Sequence, residues 1–99
     1  MEIRKEQKDQ MLTLVLSGRL DAVAAPALEK IVREEMEGIT SLVFDLRELV
    51  YVASAGLRVL LMAQKHMKEQ GEMKLIHVND DVKEILEVTG FCEFLTVED

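Results

Sequence analysis

Leu42-Val43-Phe44-Asp45-Leu46, then Tyr51-Val52-Ala53-Ser54-Ala55-Gly56-Leu57-Arg58-Val59-Leu60, changes periodicity within twenty residues. The first part is a short, nearly continuous apolar run. That is the pattern of a strand covered on both faces and therefore central in its sheet. Tyr51 and Val52 continue the extended path. From Ser54 the apolar positions fall at helical spacing, with Leu57, Leu60, Leu61 and Met67 on the core side and Gly71 closing the helix near Gln70. A buried strand that passes directly into an amphipathic helix is the unit of an α/β fold.

The same reading extends in both directions. Towards the N-terminus, Leu12, Leu14 and Leu16 alternate along a strand over 11–17 that Gly18 is expected to end. Residues 2–8 are polar around Ile3 and suit an edge strand paired with it, with Asp9 and Gln10 making the turn. Pro26 fits the first position of a helix, where its missing N–H costs nothing. Leu28, Ile31, Val32 and Met36 share that helix's apolar stripe, and Gly38 is its expected stop. Towards the C-terminus, residues 73–78 read as a strand. Asn79 or Asp80 caps a helix carrying Val82, Ile85, Leu86 and Val88, which Gly90 ends, and 92–97 reads as a last short strand. The predicted fold class is α/β, a mixed β-sheet with helices packed on it in the order β-β-α-β-α-β-α-β, forming one domain over residues 1–99.

Composition agrees and excludes other classes. The chain has 99 residues, 48% of them hydrophobic, enough for a core that needs no disulfide or metal staple. Lys and Arg number 12 against 19 Asp and Glu, a formal charge of −7 without a basic cluster, which argues against nucleic acid or an anionic membrane as partner. The single cysteine, Cys92, cannot form an internal disulfide, and paired cysteine ligands for zinc are absent. No apolar run approaches the roughly 20 residues of a membrane span, and the N-terminus lacks the apolar core of a signal peptide. No P-loop, GxGxxG or internal repeat is present. A cytoplasmic, free-standing protein without a cofactor is expected, and a monomer.

No catalytic set emerges. His66 reads as a solvated helix residue and His77 as a packed or hydrogen-bonded strand residue; neither stands near Ser54 in sequence, so the chain is not expected to be an enzyme. Ser54 stands where the central strand becomes a helix. Its plainest role is an N-cap, with the hydroxyl accepting from a first-turn N–H and contributing about 1 kcal/mol. The same position suits phosphorylation, because a helix N-terminus offers unpaired N–H groups and the positive end of the dipole. Arg58, one turn along, reads as an exposed cation that could reach a phosphate there. Gly56 costs up to about 1 kcal/mol of helix propensity against Ala, so something must need the room: the sheet, a neighbouring loop or a partner's backbone.

Gly18-Arg19-Leu20-Asp21, Val43-Phe44-Asp45-Leu46 and Ala53-Ser54-Ala55-Gly56-Leu57-Arg58-Val59-Leu60, with Gly71 before the fourth strand, resemble the STAS domain of bacterial anti-sigma factor antagonists along essentially the whole chain. The resemblance implies a binding module for an anti-sigma factor that is also an ATP-dependent serine kinase. The unphosphorylated form holds that factor and frees the sigma factor. Phosphorylation of the serine before the small-Gly-Leu segment, here Ser54, loosens the complex, and a PP2C-type phosphatase restores it. Asp21 matches the acidic residue near the phosphoacceptor. Ala55, Gly56, Leu57 and Arg58 match the helix start on the docking surface. One departure is Ala53, where many members carry Asp. The resemblance also admits a STAS module of another system, stressosome-like or associated with transporters or lipid transport, that is not switched by phosphate.

Overall fold

The computed structural model describes residues 1–98. Its elements are β1 (Glu2–Lys8), β2 (Met11–Leu20), α1 (Ala25–Glu34), β3 (Ser41–Val52), α2 (Ser54–Lys68), β4 (Glu72–Ile76) and α3 (Asp80–Val88), followed by a 3-10 turn, Phe91–Glu93. The strands lie in the order β1-β2-β3-β4. β1 and β2 form an antiparallel hairpin running from Glu2↔Ser17 to Lys8↔Met11, and Asp9 turns it with φ +55°. β2 and β3 are parallel, as are β3 and β4. The sheet is therefore mixed, and the long apolar run of β3 lies inside it.

The core occupies one side of this sheet. Leu12, Leu14 and Leu16 of β2, Leu42, Phe44 and Leu46 of β3, and Met73 and Leu75 of β4 alternate onto that side. They pack with Leu28 and Val32 of α1, Leu60, Ala63 and Met67 of α2, and Val82 and Leu86 of α3. Val15 and Val43 point the other way and are nonetheless buried, but stand outside this cluster. β3 is thus covered on both faces in its first half. At the far end of α2, the Gln70 amide donates to the carbonyls of Met36 and Ile39 and ties the ends of α1 and α2 together.

Several elements depart from the sequence expectation. Gly18 does not end β2; it takes φ +96° inside the strand, at a register shift against β3, and the strand continues to Leu20. The left-handed conformation, free for glycine, lets β2 stay paired where β3 carries an extra residue, Val50. Pro26 is the second residue of α1 rather than the first, and the helix stops at Glu34, several residues before Gly38. α2 ends at Lys68, and its Leu61 is half-buried rather than core. Asn79 caps α3 as expected, its Oδ1 accepting from the Val82 N–H at 3.0 Å, but Val88 is 80% exposed. The expected strand over 92–97 is a 3-10 turn and then one parallel bridge, Leu75↔Val97. Phe91–Glu93 uses the residues needed to start a ladder.

Candidate functional site

β3 runs in extended geometry as far as Ala53, which has φ −88° and ψ 171° and is the N-cap of α2. The Ala53 N–H donates to the Leu20 carbonyl at 2.9 Å, and the Ala53 carbonyl accepts from the Leu57 N–H at 3.0 Å. Ser54 is therefore the first helical residue, not the cap, and no side chain caps α2. An N-cap side chain must stand one residue outside the helix to turn back onto the second or third N–H. Ser54 is one residue too far in. It is exposed, and among the described residues its hydroxyl has no hydrogen-bond partner. The N–H groups ahead of Leu57 have no partner within the helix.

The other predicted residues gather around it, with different surroundings. Gly56 is buried against the end of β2: a Cβ there would lie 2.5 Å from Leu20 Cγ and 2.8 Å from the Leu20 carbonyl oxygen. The room that Gly56 provides is thus taken by the sheet. Leu57 is 4% exposed and belongs to the core. Both were expected on a docking surface; the first position the helix start, and Leu57 only floors a depression beside it. Ala55 and Arg58 open instead towards α1, where they line a shallow groove with Ala22, Ala25, Pro26 and Met62. Arg58 is exposed.

Asp21 stands directly after Leu20, so the Leu20–Ala53 hydrogen bond brings it to the same end of the sheet as Ser54. The two share no hydrogen bond. The Asp21 carboxylate is engaged by its own loop: Oδ1 accepts from the N–H of Ala24 at 3.0 Å and of Val23 at 3.1 Å. The Ala24 N–H above all, with that of Val23 and the Arg19 charge, holds this carboxyl below its ordinary value despite some desolvation. The loop it organises presents Val23, which is 88% exposed. On the opposite flank of Ser54, Tyr51, Val52, Ala53, Leu57, Ile85 and Phe91 line a second, mainly apolar depression. An unengaged hydroxyl thus lines the mainly apolar depression on the α3 side, while the groove on the α1 side is also lined by Glu29, Arg33 and Arg58.

This arrangement has known counterparts. The sequence model of the STAS domain matches residues 2–99. The chain belongs to the STAS domain family. Among curated relatives, BtrV of Bordetella bronchiseptica, named as an anti-sigma factor antagonist, is 33% identical over 98% of this chain and 85% of its own. An anti-sigma-B factor antagonist of Listeria monocytogenes is 30% identical over 95% of this chain and 84% of its own. Among solved structures, the Bacillus cell fate determinant SpoIIAA in its phosphorylated form superposes with a TM-score of 0.77 at 14% identity, covering 97% of this chain and 90% of that one. At that identity the likeness establishes the shared fold.

Two features of this STAS domain escaped the sequence reading. The Arg19 guanidinium lies 4.3 Å from the centre of the Tyr51 ring. They are opposite one another only because β3 shifts register against β2 between Gly18 and Arg19, which no local pattern announces. The second is a polar chain on the side of the sheet away from the helices. His77, at φ +55° just beyond β4, sits 3.1 Å from Asp45 Oδ1 through Nδ1 and 3.1 Å from the Arg47 guanidinium through Nε2. Arg47 can only donate, so Nε2 accepts and Nδ1 donates to Asp45. The reading of His77 as a hydrogen-bonded residue holds, but its partners lie thirty residues away. No helix among the described residues is long and apolar enough to cross a membrane.

Proposed function

We propose that this STAS domain is an anti-sigma factor antagonist whose partner is an anti-sigma factor with serine kinase activity, and that Ser54 is the residue the kinase modifies. The observation that carries the reading is the Ser54 hydroxyl: exposed, at the first position of α2, free of any capping duty, and flanked by apolar surface. Relatives named as anti-sigma factor antagonists support the functional class.

The chemistry follows from the position. A phosphate on Ser54 adds nearly two negative charges beside unpaired N–H groups and the positive end of the helix dipole, which tolerate it. α2 therefore need not unfold. Arg58 lies one turn along on the same helix, at the spacing that lets two side chains meet. The cost falls on the partner: a charge set among Ala55, Tyr51, Ile85 and Phe91 must be desolvated against its surface. Asp21 acts by shaping the loop that carries Val23, so the unphosphorylated domain offers the kinase a preformed surface and itself performs no catalysis. A PP2C-type phosphatase resets the switch.

The test is incubation with ATP and the anti-sigma kinase of the same genome, followed by intact mass and peptide mapping. One phosphate on Ser54 is expected. Ser54→Ala should bind and stay unmodified, whereas Ser54→Asp should weaken binding by about 2–5 kcal/mol, the range for an unpaired interfacial charge. Ser54→Asp binding as tightly as the parent would defeat the switch. A stable complex without phosphate would leave an unswitched binding module. Neither phosphate nor complex would move the domain to another STAS system.

A further inference from the structure

The two edges of the sheet are finished differently. Against β4 the C-terminal segment adds a bridge: the Leu75 N–H donates to the Thr96 carbonyl at 2.9 Å, and the Glu98 N–H to the Leu75 carbonyl at 2.8 Å. At the other edge, β1 pairs only with β2, and no described strand covers its outer side. Every second backbone N–H and C=O of a seven-residue strand is thus left pointing outward, a template for another strand.

The side chains of β1 decide which strand would fit. The register with β2 puts Glu2, Arg4, Glu6 and Lys8 on the side of the sheet away from the helices, and Ile3, Lys5 and Gln7 on the helix side. A second copy of β1 laid antiparallel about a two-fold axis at Lys5 places Glu2 opposite Lys8 and Arg4 opposite Glu6. Symmetry repeats both pairs, so all four facing positions on that side match in charge. Helix layers of both copies then lie on the same side. The two Lys5 side chains meet at the axis, but each is neutralised by Glu35 of its own chain, at 2.9 and 3.0 Å from the two carboxylate oxygens.

The neighbouring face-matched registers fail. Arg4 and Glu6 also pair within a chain, at 3.2 Å, so the off-axis positions decide. Moving the axis to Arg4 sets Glu2 against Glu6 on both sides of it; moving it to Glu6 sets Arg4 against Lys8 on both sides. Like charges directly opposite destabilise a pair of strands. Axes at Ile3 or Gln7 also match charges, Glu2 with Arg4 or Glu6 with Lys8, but overlap only three residues. Charged edges usually block association; here the charges permit one arrangement that pairs the whole strand.

We propose that two copies of this chain associate through β1, antiparallel about Lys5, into one continuous sheet with four strands from each copy. The interface is narrow and salt-sensitive, so the dimer is weak and depends on concentration.

Sedimentation equilibrium at low ionic strength over a wide concentration range tests this with charge reversals. Glu2 and Lys8 stand about 20 Å apart along one extended strand, so they do not pair within a chain. Glu2→Lys and Lys8→Glu each create two like-charge pairs across the axis, and each should raise the dimer Kd about tenfold. The double variant Glu2→Lys/Lys8→Glu should return it to the parent value. Both side chains are exposed, and far-UV circular dichroism verifies folding. Amide exchange in β1 should also slow as concentration rises. A parent protein that stays monomeric at the highest attainable concentration overturns the proposal. So does a dimer indifferent to Glu2→Lys, or a double variant no better than the singles.

Discussion

Replacing Gly56 by Ala tests how α2 is seated against the sheet. The added Cβ would lie 2.5 Å from Leu20 Cγ, 2.9 Å from Leu20 Cδ2 and 2.8 Å from the Leu20 carbonyl oxygen. Leu20 is completely buried, and its carbonyl is held by the Ala53 N–H, so neither neighbour moves freely. Overpacking of this kind costs about 1–3 kcal/mol. With contacts as short as 2.5 Å the cost lies in the upper part of that range, about 2–3 kcal/mol; helix propensity returns at most about 1 kcal/mol, leaving a net loss of about 1–2 kcal/mol. For a domain of this size that lowers Tm by about 5–15 °C. Thermal and urea unfolding measure it, and a double-mutant cycle with Leu20→Ala apportions it. Leu20→Ala alone costs about 2–5 kcal/mol, but it removes two of the three close atoms. Gly56→Ala should therefore cost about 1 kcal/mol less in that background. A Gly56→Ala protein as stable as the parent would refute the packing argument. Additivity in the cycle would place the strain elsewhere than on the Leu20 side chain.

Other outcomes follow from single contacts. Ala53 occupies an N-cap without a capping side chain, so Ala53→Asp should stabilise the domain by about 1 kcal/mol, read as a higher urea midpoint; an unchanged midpoint means that Asp does not cap α2. The same variant should be phosphorylated faster if the missing acid limits the reaction, and an unchanged rate would show that it does not. Asn79 caps α3 and its Nδ2 donates to the Leu49 carbonyl at 2.6 Å; Asn79→Ala should cost about 2 kcal/mol, and a loss below about 0.5 kcal/mol would mean that water replaces both bonds. The Asp21 carboxyl should titrate below 3.8 in the folded protein. Its contribution to stability is complete above the unfolded value and is lost as pH falls through the folded one. An NMR titration of Asp21 with its midpoint at or above 3.8 would contradict the hydrogen bonds from Val23 and Ala24.

The parts of this molecule that the sequence made legible are those set by short-range periodicity. The alternation of Leu12, Leu14 and Leu16, the double-sided apolar run from Leu42 to Leu46 and the helical spacing after Ser54 each depend on residues a few positions apart. A strand or helix can bury its apolar side in only one phase. Cap chemistry is equally local, and Asn79 was recognisable for that reason. The Ser54 neighbourhood was recognisable too, because a family resemblance preserves spacing around a strand-to-helix turn.

What remained hidden depends on which distant residues meet. Whether Ser54 or Ala53 caps α2 turns on where the Leu20 carbonyl captures the chain, and that is a contact between β2 and β3. Gly56 announced a need for space, but that Leu20 occupies it follows from packing across thirty-six positions. The extra residues that β3 carries at its two register shifts against β2 set Arg19 over Tyr51, and the sheet order brings His77 to Asp45 and Arg47. The last residues, read as a short strand, make only one bridge, because the 3-10 turn at Phe91–Glu93 uses the chain needed for a ladder. Local pattern selects each element and its buried face. Register, bulges and close approach are settled when all the faces share one core, since only there do distant side chains compete for the same volume.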